Sequence, residues 1–477
     1  MDAASRRPPG PAGLPILGNI FDLRGAQLHH ALARLAGEHG PVMSLKLGAG
    51  DAMVVSSAAG ARDVLHKHDH LLAGRSPNDA ARVLGNHEHS MLWQPASSPR
   101  FRRLRAVCSN HLFSARGLDA TGALREAKVR ELVGCLALGG AGAAVDVGAV
   151  VLAGMLNVMS NVLFSEDVAD ISLDSSGDAQ ELEMLINSTI EEITKPNLSD
   201  LFPVLAALDL QGRRRNNAEY MRKLYDFFDR VISRRRQSQQ SPRGEDKLDF
   251  LDVLLKLHSE DDQFSLQTIK SFLLDLFVGG TSTTALTVQW TLAELLRHPA
   301  VMSKVREELQ QVLGSKEHPD ESDIDSLPYL RAVSMETMRL YPPGPLLMPH
   351  VAMADGAEVG GFPVPKGTKV IVNVYAIMRD PASWEQPEAF VPERFLAVEA
   401  AGTTTAAAFL PFGAGRRLCP GMPMATRQVM LVLASLLHAF EWSLPDGMQP
   451  CDVDVRDRFG TSLNMVTPLR AVPTPLR

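Results

Sequence analysis

The sequence predicts a mostly α-helical protein with a small β-rich region, and three observations predict it. From about residue 58 to residue 345, apolar residues recur at helical spacing almost without interruption. Ahead of that stretch, Met43, Leu45 and Leu47 alternate with polar residues, Gly48-Ala49-Gly50-Asp51 supplies a turn, and Met53-Val54-Val55 follows, which reads as a β-hairpin. After Pro345 short strand signals return, as in Lys369 to Val374. Length alone suggests about three domains. No linker of disordered composition divides the 477 residues, and 45% hydrophobic with 22% charged residues is an ordinary globular balance. One large domain over residues 31–477 is therefore expected, behind a connector over residues 1–30.

The elements follow in order. Met1 to Arg7 is polar, and Pro8-Pro9-Gly10-Pro11 stiffens into an extended connector. A connector with nothing before it reads as one whose anchor is missing; a naturally soluble chain with a ragged start is the other reading. No run of about 18 apolar residues occurs, so no segment is expected to span a bilayer. Leu201-Phe202-Pro203-Val204-Leu205 is an apolar loop beside Arg213-Arg214-Arg215. It either packs in the ordinary way or dips into a membrane surface with arginines at the headgroups. Ser233 to Lys247, with Arg234-Arg235-Arg236 followed by Gln, Ser, Pro and Gly, is expected to be a solvated loop between helices.

The longest helix pattern starts at Ser265, an N-cap, and runs to about His298, roughly 50 Å. Its middle reads Gly279-Gly280-Thr281-Ser282-Thr283-Thr284. Each mid-helix glycine costs about 1 kcal/mol, so close approach of a cofactor, a substrate or another helix is expected there. Threonine hydroxyls one turn on can bond back to the carbonyls. A helix from about Pro328 to Leu340 puts Glu336 and Arg339 on one face and stops at Tyr341-Pro342-Pro343. A last helix is expected from about Ala425 to Phe440, with short strands closing the chain.

The formal net charge of −7 argues against a nucleic-acid binder. Cys108, Cys135, Cys419 and Cys451 are far apart and form no CxxC pair, which argues against zinc and against a disulfide framework. A cytosol-facing compartment is expected.

One cysteine has chemistry written around it: Pro411-Phe412-Gly413-Ala414-Gly415-Arg416-Arg417-Leu418-Cys419-Pro420-Gly421. A thiolate ligand needs backbone N–H donors and nearby positive charge. Gly415 and Gly421 allow tight turns on either side of the sulfur. Pro420 restricts the backbone after it. Phe412 can shield the sulfur from water, and the following helix brings its positive end close. A buried structural cysteine in a glycine-rich turn is the plain alternative. A phosphate-binding loop is excluded, because no strand precedes the glycines and no Lys-Ser/Thr follows them.

The pattern Phe412-x-x-Gly415-x-Arg417-x-Cys419-x-Gly421 resembles the haem-binding signature of the cytochromes P-450. The resemblance extends over nearly the whole chain. Leu14-Pro15-Ile16-Leu17-Gly18-Asn19, Ala376-Ile377-Met378-Arg379-Asp380-Pro381 and Pro392-Glu393-Arg394-Phe395-Leu396 are similar to the plant microsomal branch and its terpenoid-oxidising subfamily. It implies a long central helix over haem b, with Cys419 as the iron ligand and Phe412, Gly413 and Gly421 in the haem-binding loop. Arg105, in Phe101-Arg102-Arg103-Leu104-Arg105, together with His350 and Arg417, is implied as a propionate partner. Phe101 stands where the family carries tryptophan. Glu336, Arg339 and Arg394 are implied as a structural triad under the haem.

Gly280 and Thr283 match the family's oxygen groove, and Gly279 stands for its usual alanine. Ser282 stands where an acid is usual, so the proton route departs from the pattern. By position the substrate pocket is lined by Asp275, Phe277, Val278, Gly279, Leu346, Leu347, Met348, Thr461 and Ser462. The resemblance implies a monooxygenase that inserts one oxygen atom of O2 into a hydrophobic small molecule, a plant diterpenoid. Electrons come from NADPH through NADPH–cytochrome P-450 reductase, since no flavin or nicotinamide fingerprint is present. Arg102, Arg103, Arg416 and Arg427 are expected to form a basic face for that reductase. The implied location is the cytosolic face of the endoplasmic-reticulum membrane, with an anchor missing from this chain. Two other functions stay open: a haem-thiolate isomerase or lyase acting without reductase, and a haem-binding sensor without turnover.

Overall fold

The structure, a computed structural model, describes residues 7–25, 27–139, 142–169, 178–238, 249–261, 264–396, 407–460 and 462–476. Among them, the helices of eight residues or more are α1 (Leu28–His39), α2 (Pro99–His111), α3 (Gly122–Leu138), α4 (Val147–Phe164), α5 (Asp178–Thr194), α6 (Arg213–Ser238), α7 (Phe250–Glu260), α8 (Leu266–Arg297), α9 (Pro299–Leu313), α10 (Pro328–Leu340) and α11 (Met422–Ala439). The principal sheet has strands β1 (Val42–Leu47), β2 (Gly50–Val55), β3 (His350–Val351) and β4 (Lys369–Val372) in the order β1-β2-β4-β3. The expected hairpin is β1–β2, with Met43 opposite Val54, and β2 runs parallel to β4, with Val54 beside Ile371. A second antiparallel pair, Asp457–Phe459 with Leu463–Met465, lies near the C-terminus.

Helix α8 is the axis of the molecule. Its N-cap is Ser265, whose side chain accepts from the Thr268 N–H, and it packs against α4, α10 and α11. The largest core is built from these helices with α3 and α9, through Val151, Met155, Val288, Leu292, Val333, Leu433 and their neighbours. After Thr283 the helix is buried almost all round, its polar residues Thr284, Thr287, Gln289, Thr291 and Glu294 included.

Three expectations are corrected. Ser233–Ser238 is the last part of α6 rather than loop, because Arg235 turns inward and pairs with Asp249 at 2.6 Å and Asp252 at 3.0 Å. Residues 239–247 of that expected loop lie outside the described residues. Segment 201–205 is not continuous loop: Leu198–Leu201 is a short helix, and Pro203–Leu208 is a 3-10 helix whose Val204 is 89% exposed. α4 is 18 residues long and, like α8, apolar enough to meet the length and composition of a membrane span. Both helices are mostly buried in the core, where a continuous apolar surface is needed for packing.

Candidate active site

The cysteine loop is shaped by glycines and backbone hydrogen bonds. The Cys419 N–H donates to the Phe412 carbonyl at 3.0 Å, and the Gly413 N–H to that of Leu410 at 3.0 Å. Gly413 and Gly415 have φ of +67° and +66°. A Cβ at Gly415 would strike the Leu65 carbonyl, so no other residue fits there. Gly421 is the N-cap of α11. Burial pushes the Cys419 thiol up, opposed by the N–H groups of Gly421 and Met422 and by Arg105. The loop therefore supplies the expected donors without itself ionising the sulfur, which a coordinated metal would do. Cys108, fully buried, is pushed up to about 11 and is a structural thiol.

Around the loop lie three guanidiniums and one imidazole. Arg105 donates to the Leu418 carbonyl at 2.6 Å. Arg417 donates to the Ala73 carbonyl at 3.1 and 3.0 Å and to that of Gln94, and its guanidinium lies 4.5 Å over the Phe101 ring. That contact gives Phe101 a role which needs no indole N–H. Buried His350 shares a 2.9 Å hydrogen bond with the Leu72 carbonyl. Burial, then Arg75 and Arg417, drives its pKa down to about 3. Arg417 is lowered to about 10 by burial and by Arg105. Sequence reading missed Arg75, which donates to the Pro349 carbonyl at 3.1 Å while its Nε has no partner. Among the described residues none of these four groups has an acidic partner. Three partly buried guanidiniums beside a buried neutral imidazole, with one orphaned donor among them, fit a dianionic ligand such as the two propionates of haem.

The triad residues meet. Arg339 donates to Glu336 at 2.7 and 2.9 Å, and Arg394 to the same carboxylate at 3.1 Å. Arg339 also donates to the carbonyls of Met378 (2.8 Å), Pro387 (2.7 Å) and Ala389 (3.1 Å), which ties α10 to the segment ahead of the cysteine loop.

α8 presents an accessible stripe in the middle of an otherwise buried helix: Asp275, Val278, Gly279, Ser282, Thr283 and Leu286. Threonine back-bonding is present, from Thr281 to the Phe277 carbonyl at 2.9 Å and from Thr283 to that of Gly279 at 2.8 Å. The two glycines separate. A Cβ on Gly279 would meet nothing within 4 Å, so this glycine faces open space. A Cβ on Gly280 would come within 2.6 Å of Met159 Cε, so Gly280, itself partly accessible, borders the α4–α8 crossing. Met159 also touches Gln428 of α11 at 4.0 Å, which links the Gly280 crossing to the helix after Cys419.

Not every expected pocket residue lies on this face. Phe277 is fully buried, with its ring 6.3 Å from Phe164, and Leu346 is buried beside Leu32 and Ile371; both are core residues. Helical periodicity accounts for Phe277, which falls on the far side from Val278 and Gly279. Leu347, at φ +50°, lies against Gly413 and stays partly accessible, as do Met348 and Ser462. Thr461 lies outside the described residues. Asp275 is held by the Ser90 hydroxyl at 2.8 and 2.9 Å and the Leu92 N–H at 3.3 Å, and burial pushes its pKa up to about 7. Of the four arginines expected on a reductase face, Arg103 pairs with Asp261, Arg416 with Asp69 at 3.2 Å, and Arg427 with Asp119 at 3.2 Å and Glu321 at 3.3 Å. Only exposed Arg102 among the four lacks an acidic partner in the described residues, so this face carries less free charge than the sequence count suggests.

The cytochrome P-450 family model matches residues 8–467. The chain is 46% identical to oryzalexin E synthase of Oryza sativa subsp. japonica, over 98% of this chain and 91% of that protein. It is 44% identical to ent-cassadiene C11-alpha-hydroxylase 1 of the same organism, over 98% and 93%. It is 42% identical to geraniol 8-hydroxylase of Catharanthus roseus, over 98% and 94%. With this geometry and these relatives, the chain belongs to the cytochrome P-450 family of haem-dependent monooxygenases.

Proposed function

We propose that this chain hydroxylates a plant diterpenoid, with electrons passed from NADPH by NADPH–cytochrome P-450 reductase. The carrying observation is that the relatives named for ent-cassadiene and for oryzalexins are 43–46% identical over 98% of this chain. The apolar part of the stripe, with Leu347 and Met348, supports a hydrocarbon-like substrate.

Haem, when bound, supplies the activation of dioxygen and the insertion of one oxygen atom. In this reading Cys419 is the thiolate ligand and Phe412 and Gly421 border its sulfur. Arg105, His350 and Arg417, joined by Arg75, would hold the propionates. Glu336, Arg339 and Arg394 fix the backbone that carries the loop. Thr283 turns its hydroxyl from the Gly279 carbonyl to position water on the open face. Ser282 holds water there but carries no charge, so the proton reaches the site through hydroxyl and water rather than from an acid at that position.

A membrane-facing edge is part of the same reading. Ile16 (83% exposed), Leu14, Val204, Leu208 and Leu210 are exposed. Their segments adjoin through the β1–β2 turn, where Gly18 bridges to Leu47 and the Ala49 N–H donates to the Leu201 carbonyl at 2.8 Å. Such an apolar edge supports seating on the cytosolic face of the endoplasmic reticulum.

The test is turnover of a diterpene panel, with geraniol beside it, by the holoenzyme reconstituted with reductase. The expected result is an NADPH-dependent diterpene product one oxygen atom heavier. Thr283→Ala is expected to consume NADPH while forming less product per NADPH. Turnover of geraniol alone would refute the diterpenoid reading. Product without NADPH would support the isomerase, and no NADPH use with any ligand the sensor.

A further inference from the structure

Two adjacent histidines at the start of α1 converge on one carboxylate, far in sequence from the cysteine loop. His29 Nε2 lies 3.2 Å from one oxygen of Asp457, and His30 Nε2 lies 3.1 Å from the other. The three ligand atoms all fall within 4.8 Å of one another. Neighbouring residues of a helix do not normally face the same target, so the convergence needs a cause.

Hydrogen bonding accounts for only half of it. The His30–Asp457 contact is an aligned hydrogen bond. His29 Nε2 lies 3.2 Å from the opposite Asp457 oxygen without an aligned hydrogen bond, His29 Nδ1 has no hydrogen-bond partner, and His29 is 0% exposed. Buried polar atoms without partners are rare and require an explanation. Imidazole nitrogen and carboxylate oxygen are both zinc ligands, and bonds of about 2.0–2.2 Å in a tetrahedron put ligand atoms roughly 3.3 Å apart. The 3.2 Å from His29 Nε2 to its carboxylate oxygen is close to that spacing, and all three ligand atoms lie within 4.8 Å of one another.

The surroundings make this a built site. The Tyr375 ring lies 4.7 Å from His29 and 4.9 Å from His30, and Phe459 lies 5.6 Å from His29. Gln27 accepts from the Phe459 N–H at 3.0 Å, fixing the 457–465 hairpin beside α1. Arg379, 3.8 Å over the Tyr375 ring, is a nearby cation, and Glu388 at 3.3 Å offsets its charge. The His30 side chain is 39% exposed, which leaves a path for an ion to enter.

We propose that His29, His30 and Asp457 bind one divalent cation of the zinc class, clamping α1 to the hairpin whose turn carries Ser462. The test is titration of EDTA-treated, dialysed holoenzyme with Zn2+ alone, by calorimetry and by thermal unfolding. The wild type should bind one equivalent that His30→Gln weakens at least about 10-fold, with a Zn2+-dependent rise in Tm only in the wild type. Because His30 is at the surface, His30→Gln should keep its haem absorbance, which reports the fold; Asp457→Asn is a second variant with the same expected loss. Absence of binding to the wild type, or the same affinity and stoichiometry in wild type and His30→Gln, overturns the site and leaves a hydrogen-bonded clamp only.

Discussion

Arg339 has the most concentrated set of partners in the site: one buried carboxylate and three carbonyls around a single guanidinium. Removing it leaves the buried Glu336 with Arg394 as its one cationic partner among the described residues and frees three carbonyls, a loss of about 3–5 kcal/mol. Arg339→Ala is expected to give protein without haem, read from the haem absorbance of the purified variant; normal haem content would contradict the triad's role. The neighbouring glycines of α8 give a second residue-scale test. Gly279→Ala is expected to raise stability by about 0.5–1 kcal/mol, because the new methyl enters open space and helix propensity improves. Gly280→Val is expected to lower it by about 1–3 kcal/mol, because the side chain meets Met159. Thermal unfolding of the two variants compares them, and equal destabilisation would contradict the assignment of faces. At this scale the sequence was legible where a residue type is demanded by chemistry, as in the pairing of Glu336 with Arg339 and Arg394. It was not legible where the partner is a backbone carbonyl from a distant segment. Arg75 sits in an unremarkable run, and only the fold brings it beside Arg417 and His350.

α8 is the element on which the account rests, and its limits were legible because Ser265 caps it and apolar periodicity persists to its end. Which of its residues face the site was less so. A stripe is set by 3.6-residue geometry, so Phe277 falls inward and Gly280 borders Met159 while Val278 and Gly279 face out. α8 also carries a pH-sensitive contact. Asp275, with its pKa pushed up to about 7 by burial, is held by Ser90 and the Leu92 N–H. In the unfolded chain it ionises in the ordinary carboxylate range, so between about pH 4 and pH 7 the folded protein holds a proton that the unfolded chain has lost. Its contribution is fully present below that window and is lost as pH rises through about 7. The Tm of Asp275→Asn relative to wild type is therefore expected to increase from pH 4 to pH 7 and to level off above it; a difference independent of pH would contradict this.

Across the whole molecule, a helical interior carries the site and an apolar edge lies apart from the principal core. The edge was half legible. Leu201-Phe202-Pro203-Val204-Leu205 was visible as apolar loop, but its continuity with Leu14 and Ile16 needs the β1–β2 turn between them. Val204→Asp with Leu208→Asp is expected to weaken binding to phospholipid vesicles without changing haem content; unchanged vesicle binding would contradict a membrane-seating role. The central claim, that Cys419 ligates haem through its thiolate, is tested most directly by the carbon monoxide difference spectrum of the reduced protein. The wild type is expected to show the red-shifted band of a haem-thiolate, and Cys419→Ser to lose it. A wild type without that band, or the same spectrum from both proteins, would contradict it.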